Sequence, residues 1–150
     1  MGRIRLALAV ALCVFTADRA CAADAAQQQV NKKIVGEFYE KAINRKDFEA
    51  ASKYLGSRYI QHNQKAADGP EGLKGFIQYL REKFPNAHSE IKRVFADGDY
   101  VILQVHAVRE PGTRGTAIVD IFRLEGGKIA EHWDVHEDIL PKAANANGMF

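Results

Sequence analysis

Apolar side chains beyond residue 22 first recur at helical spacing. The positions that lie three to four residues apart are Val30, Ile34, Phe38 and Ala42. One face of a helix with 3.6 residues per turn collects such positions, so the pattern predicts a helix from about Gln27 to Asn44.

Two further helices are indicated by capping residues. Asp47 is a good N-cap for a second helix, which we expect to end near Gly56. Its apolar residues are Phe48, Ala51 and Leu55. The triplet Gly69-Pro70-Glu71 favours the start of a third helix, which ends before Pro85. The apolar residues of this helix are Leu73, Phe76, Ile77, Leu80 and Phe84.

The second half of the chain alternates apolar and polar residues, which predicts β-strands. Four strands are expected: about His88 to Ala96, Asp99 to Glu110, Thr116 to Leu124 and Ile129 to His136. The turns between them contain glycine: Asp97-Gly98, Pro111-Gly112 and Gly126-Gly127. Three helices followed by an antiparallel meander indicate an α+β fold.

The first 22 residues have the pattern of a secretory signal peptide. Arg3 and Arg5 precede an apolar run from Leu6 to Phe15, and Ala20-Cys21-Ala22 forms an A-x-A-like cleavage site. The apolar run is too short to span a bilayer as a helix. We therefore expect a cleaved leader over residues 1–22 and a periplasmic or secreted protein that is not held in a membrane.

The rest of the chain is expected to form one domain. Residues 23–29 are a polar lead-in, residues 30–140 the folded domain and residues 141–150 a flexible tail. The chain has 21 Lys and Arg against 19 Asp and Glu, and the leader contains three of the basic residues and one acidic residue. The remaining charges balance, so no nucleic-acid partner is expected. Both cysteines, Cys13 and Cys21, lie in the leader, which leaves neither a disulfide nor a thiol nucleophile.

One carboxylate, Asp120, lies among apolar neighbours on the third predicted strand. Because side chains alternate along a strand, Asp120 shares a face with Ile118 and Phe122. A two-residue loop at Gly126-Gly127 would pair Glu125 with Lys128 and bring Trp133 opposite Asp120. A two-residue loop shifted by one position would bring Glu131 opposite instead and keep Trp133 on that face. A three-residue loop would turn Trp133 to the other face.

An aromatic wall would remove water from Asp120 and raise its pKa. A carboxyl group with a raised pKa is suited to act as a general base or acid. The structural alternative is an ion pair, for which Arg109 or Arg123 could serve as partner.

A polar stretch between the second and third helices is a second candidate for the site. It runs from Tyr59 to Asn63 and is expected to be extended. His62 can exchange a proton near neutral pH, and Asn63 can orient a carbonyl group or a water molecule. The simpler alternative is that both side chains cap a turn.

The long predicted strand from Tyr100 to Val108 carries two polar residues on one face, Gln104 and His106. The opposite face is wholly apolar. Three or five loop residues around Pro111 to Arg114 would put His106 on the Asp120 face, whereas four would separate them. Both arrangements remain open from the residues alone.

A metal site is a further alternative. His132, Asp134 and His136 are spaced by two and would point to one side of a strand, as metal ligands can. That face is expected to lie opposite to the Asp120 face, where solvent or a subunit contact would explain it. No metal or other cofactor is therefore expected.

Three stretches of the sequence carry a family resemblance: YIQHN after the second helix, GDYVILQVHA on the long strand and VDIFRLEGGKIAEHWDV near the end. Through them the chain resembles the SnoaL-like polyketide cyclase group of the nuclear transport factor 2-like superfamily, a resemblance that covers roughly Val30 to Leu140. It implies a cone-shaped α+β barrel, in which a strongly curved, mainly antiparallel sheet wraps around N-terminal helices, and usually a homodimer. In the cyclases an aspartate on the penultimate strand is the general base of a cofactor-free aldol closure, and Asp120 matches it. His62, Asn63 and His106 match residues common among the relatives.

These observations together predict an exported, cofactor-independent enzyme. Asp120 would remove a proton next to the carbonyl group of a small apolar compound, and His62 or His106 would polarise the carbonyl or shuttle the proton. The residues expected to bind the substrate are Tyr59, Asn63, Gln104, Phe122 and Trp133. The alternative is a non-catalytic module of the same fold that binds a small ligand or a partner.

Overall fold

The computed structural model of the chain describes residues 24–150, so the predicted leader lies outside the described residues. Helix α1 covers residues 24–39 and continues with π-helical geometry over Glu40–Asn44. The other helices are α2, Phe48–Ser52, and α3, Gly69–Lys83. The strands are β1, Leu55–Gln61; β2, His88–Asp97; β3, Tyr100–Val108; β4, Thr116–Glu125; and β5, Lys128–Asp138. No helix of this part of the chain is long and apolar enough to cross a membrane.

The five strands form one curved sheet in the order β1-β5-β4-β3-β2. Strand β1 is parallel to β5, and all other neighbours are antiparallel. The helices and the mainly antiparallel sheet confirm the predicted α+β fold.

The second helix is shorter than predicted. The Asp47 carboxylate caps it as expected, since it accepts a hydrogen bond from the backbone N–H of Ala50. The helix ends at Ser52, however, and Leu55 begins strand β1, where it pairs with Ile129. The backbone N–H and C=O groups of β1 form hydrogen bonds with the edge of the sheet. In a longer helix they would have had to form these bonds within the helix.

The sheet has an inner face, packed against the helices, and an outer face. The inner face carries the core residues Val101, Leu103, Val105, Ile118 and Phe122. Helix α1 covers this face with Val35, Phe38 and Tyr39, and α3 contributes Ile77. Asp120 pairs with Leu103, so its carboxylate points into the core.

In the β4–β5 hairpin the predicted turn is confirmed, but the predicted register beyond it is wrong. Glu125 pairs with Lys128 as predicted, and Gly126 and Gly127 both have positive φ angles, which a two-residue turn of this kind requires. One pair further on the register shifts, because Leu124 faces Ile129 whereas Arg123 faces Glu131. Ala130 is the extra residue of a β-bulge.

This bulge changes the neighbour of Asp120. Asp120 lies opposite Asp134, and Trp133 lies opposite Ile121 on the outer face. The predicted pairing of Asp120 with Trp133 is therefore wrong. The physical reason is that Ile129 and Ala130 are both buried, which strict alternation along a strand does not allow.

Candidate functional site

Asp120 is the centre of a buried polar cluster on the inner face. Its side chain is 7% exposed, and Oδ1 lies 3.0 Å from Nε2 of His132. The second oxygen, Oδ2, is buried and has no hydrogen-bond partner among the described residues. A buried carboxylate oxygen without a partner is costly, so Oδ2 is a candidate hydrogen-bond acceptor for a ligand or a water molecule.

His132 connects Asp120 to the edge strand β1. Its ring packs on Phe122, with a centroid separation of 4.6 Å. Nδ1 of His132 lies 3.0 Å from the side-chain nitrogen of Gln61 and 3.2 Å from its side-chain oxygen, Oε1. Parallel pairing of Gln61 with His132 holds the two residues side by side.

A second acid and histidine pair lies beside the first. Asp134 accepts a hydrogen bond of 2.5 Å from Nδ2 of Asn63, and its other oxygen lies 3.0 Å from Nε2 of His136. Asp134 is largely buried, whereas the side chain of His136 is 38% exposed. Unlike Asp120, Asp134 therefore has a partner for each oxygen.

The environments of the two carboxyl groups shift their pKa values in opposite directions. Burial raises the pKa of Asp120, although the hydrogen bond with His132 acts against it. Burial also acts to raise the pKa of Asp134, but the hydrogen bond with His136 and the nearby histidine charges outweigh it and the pKa is lowered. Paired acids whose pKa values move apart are typical of sites that divide acid and base roles.

Two buried tyrosines, Tyr39 and Tyr59, lie near this cluster. Burial, and then the charge of Asp120, raises the pKa of Tyr39 well above its usual range. The same two causes, in the same order, raise the pKa of Tyr59. Both hydroxyl groups therefore stay protonated at neutral pH and can donate hydrogen bonds to a ligand.

The structure brings four of the predicted site residues together. Asp120 and Phe122 lie on the inner face of β4, and Tyr59 is buried on β1 near Asp120. Asn63 follows β1 and reaches Asp134. The polar stretch was predicted as extended, and part of it is strand β1, which ends at Gln61.

His62 and Trp133 lie on the outer face, away from Asp120. Their rings stack with a centroid separation of 4.3 Å and an interplanar angle of 4°. Nε2 of His62 lies 2.9 Å from Oε2 of Glu131. Gln61 points to the inner face, so its neighbour His62 points outward.

His106 and Gln104 also lie on the outer face. The pairing of Leu103 with Asp120 puts the even-numbered residues of β3 on the face opposite to Asp120. His106 donates from Nε2 to the backbone oxygen of Arg114 over 2.8 Å. Gln104 accepts from Arg93 and donates to the backbone oxygen of Met149 over 3.0 Å. The structure thus does not bring either residue to Asp120.

Three members of the cluster were not predicted to lie beside Asp120. His132 and Asp134 were placed on the opposite face because the bulge was not foreseen. Gln61 lay within the polar stretch without a role. The adjacent apolar residues Ile129 and Ala130 are the signal that could have indicated the bulge, since both are buried.

Among residues 24–150, the side chains that could hold a metal ion differ from the predicted set. Donor atoms of Asp120, His132 and Asp134 lie within 4.8 Å of one another, whereas His136 is outside this group. Nε2 of His132 already faces Oδ1 of Asp120, and a metal would have to displace that hydrogen bond. The hydrogen-bonded acid and histidine pair is therefore the simpler description of the cluster.

Comparison with known proteins agrees with the fold. The family model described as SnoaL-like polyketide cyclase matches residues 33–143. The chain belongs to the SnoaL-like polyketide cyclase family. A search of the curated proteins finds no match.

Solved structures with the same fold include proteins from three organisms. TsrD from Streptomyces laurentii is 19% identical, with a TM-score of 0.62 and coverage of 73% of this chain and 90% of that chain. A proposed polyketide cyclase from Bacillus cereus is 25% identical, with a TM-score of 0.60 and coverage of 69% and 72%. A nuclear transport factor 2-like protein of unknown function from Cytophaga hutchinsonii is 19% identical, with a TM-score of 0.60 and coverage of 71% and 89%. These similarities confirm the predicted fold and family.

Proposed function

We propose that this SnoaL-like protein is an exported, cofactor-independent enzyme in which Asp120 removes a proton next to the carbonyl group of a small apolar substrate. The observation that carries the proposal is the buried Oδ2 of Asp120, which has no partner in the described part of the chain. Burial raises the pKa of Asp120, and a general base works best when its pKa approaches the working pH.

The histidine that acts beside Asp120 is His132, whereas His62 and His106 lie on the outer face. His132 lies within hydrogen-bond distance of Asp120 and orients the carboxylate so that Oδ2 faces the substrate. The protonated hydroxyls of Tyr39 and Tyr59 are suited to polarise the carbonyl as negative charge develops on its oxygen. Phe122, which packs on the ring of His132, supplies apolar surface.

The chemistry follows from these positions. The C–H bond next to the carbonyl breaks, its proton moves to Oδ2 of Asp120, and the electron pair is delocalised onto the carbonyl oxygen. The resulting enolate then attacks a second carbonyl, whose oxygen takes the proton back from Asp120, as in an aldol closure, or it takes the proton back at another carbon, as in an isomerisation.

Turnover by Asp120→Asn tests this proposal after carbonyl compounds have been screened for conversion. General-base catalysis contributes about 10² to 10⁴ in rate, and we expect a loss of that order. Asp97→Asn, at an exposed position at the end of β2, is the matched control and should retain full turnover. Full turnover by Asp120→Asn would remove Asp120 from the base role. A ligand that binds and is recovered unchanged would favour the binding-module alternative.

We also propose a homodimer that associates through the outer face. Val119 and Val135 pair directly across β4 and β5, and they are 37% and 67% exposed. Tyr100, 44% exposed, extends this apolar patch. Light scattering should give twice the mass of the chain, and Val135→Glu should give the single mass. A wild-type mass of one chain would contradict the dimer.

Export is proposed from the leader pattern alone. Expression of the full chain in a Gram-negative host should yield a product that begins at Ala23 in the periplasmic fraction. An uncleaved product in the cytoplasm would contradict export.

A further inference from the structure

Gln61 presents both ends of its side-chain amide to one nitrogen of His132. The amide nitrogen lies 3.0 Å and the amide oxygen 3.2 Å from Nδ1. A neutral ring with a bare Nδ1 can accept a hydrogen bond from the amide N–H. A protonated ring can instead donate from Nδ1 to the amide oxygen.

The orientation of the Gln61 amide is set by its other contacts. The backbone N–H of Asn63 donates to Oε1 over 2.9 Å, which requires an oxygen at that position. Nε2 lies 3.3 Å from the hydroxyl of Tyr59. The backbone N–H of Gln61 donates to Oδ1 of Asp68 over 2.8 Å, which holds the end of strand β1.

The other nitrogen of His132 faces Asp120. An ionised carboxylate only accepts, so Nε2 carries a proton when Asp120 is ionised. The neutral ring then accepts from Gln61 at Nδ1, and the charged ring donates to Gln61 at Nδ1. The contact with Asp120 is the same in both states, and neither state requires a different rotamer.

We propose that Gln61 is a positioning residue that allows His132 to be either neutral or charged, and that it thereby sets the proton affinity of Asp120. This inference rests on the proposed role of Asp120 as base. A neutral His132 leaves Asp120 a strong base, whereas a charged ring 3.0 Å away weakens it.

Other groups around His132 also affect the equilibrium between its neutral and charged forms and the proton affinity of Asp120. Asp134 and His136 lie on β5 together with His132, and Asp120 lies on β4. Tyr59 comes from β1, and Tyr39 from α1 lies near Asp120. Substitution of Gln61 removes none of these groups, and in Gln61→Glu the carboxylate can still accept from the backbone N–H of Asn63 and from the hydroxyl of Tyr59.

Nitrogen-15 NMR of the histidine rings tests the proposal in the substrate-free full-length protein. In Gln61→Glu a carboxylate replaces the amide and only accepts, so the ratio of charged to neutral His132 rings should rise about tenfold at neutral pH. In the near-isosteric Gln61→Met the charged ring loses its acceptor, which costs more than the neutral contact, so the ratio should fall.

Gln104→Glu makes the same change on the outer face and should leave the His132 signals unchanged. Carbon-13 signals should show Asp120 titrating at lower pH in Gln61→Glu than in the wild type. Opposite changes in the two Gln61 variants support the proposal, and unchanged ratios, or changes in the same direction, would overturn it. Because no substrate is needed, this result is separate from the turnover of Asp120→Asn.

Discussion

The two faces of the sheet carry similar side chains that differ in burial and in hydrogen bonding. On the inner face, His132 and Asp120 are buried, and one carboxylate oxygen has no partner in the described residues. On the outer face, His62 is stacked on Trp133 and bound to Glu131, which in turn pairs with Arg123 over 2.5 Å. Both faces thus offer a histidine beside an acid.

The difference shows what separates a candidate site from a surface network. The outer groups are accessible to water and pair with one another, so their contacts can form without a ligand. The inner cluster is removed from water and incompletely satisfied, a cost that a purely structural cluster would have little reason to retain. Burial with an unmet hydrogen bond, more than the presence of histidine, therefore makes the inner cluster the candidate site.

The largest expected effect contrasts two phenylalanines. Phe122 is 2% exposed on the inner face and packs against Phe38 and His132, so Phe122→Ala should lower the free energy of unfolding by about 3 to 5 kcal/mol. Phe95 is 55% exposed on β2, and Phe95→Ala should cost less than about 1 kcal/mol.

Urea unfolding measures both values. The protein concentration must be low enough to keep the chain monomeric, because association through the outer face would add to its stability. Equal losses in the two variants would show that the faces do not differ in packing.

A smaller effect distinguishes the two carboxyl groups of the inner face by their pH dependence. The pKa of Asp134 is lowered, so its stabilisation is present above its unfolded value of 3.8 and is lost as the pH falls through the lower folded value. Asp134→Asn should therefore cost about 1 to 3 kcal/mol at neutral pH, and this cost should shrink in acid.

Asp120 should show the opposite trend because its pKa is raised. The stability of the wild type relative to Asp120→Asn is highest below the unfolded value of 3.8 and falls as the pH rises through the folded value. Unfolding of the wild type and both variants from about pH 3 to about pH 8 checks the two signs. Parallel pH curves for Asp120→Asn and Asp134→Asn would contradict the contrast.

The smallest effects are expected at the outer histidines. His62→Gln and His106→Gln should each change the free energy of unfolding by less than about 0.5 kcal/mol, because neither ring is buried and water can replace the contacts that are lost. Both variants should keep the turnover of the wild type. A large loss of turnover in either variant would return that histidine to the site.

Local chemistry allowed much of the fold to be predicted. The Asp47 cap, the start of α3 at Gly69 and the Gly126-Gly127 turn each follow from backbone preferences of a few adjacent residues. Strand β1 did not follow from such preferences. It forms because a parallel edge is available on β5, and that edge exists only in the folded chain.

The site was predicted less well because a shift of one residue in the β3–β4 or β4–β5 register moves side chains to the other face of the sheet. Asp120 was correctly placed on the face of Phe122, which needs alternation along only one strand. The partner of Asp120 depends on whether the β4–β5 ladder keeps its register, and one extra residue at Ala130 exchanges Trp133 for Asp134 and His132. The same sensitivity explains why the residues alone left the face of His106 open.

The most direct test of the account is a carbon-13 NMR titration of Asp120 in the wild-type protein, with Asp120→Asn used to assign its signal. We expect a pKa above the ordinary value of 3.8, because the carboxyl group is buried and one of its oxygens has no partner among residues 24–150. A pKa at or below that value would show a solvated or fully paired carboxylate and would contradict the role of Asp120 as the base of this site.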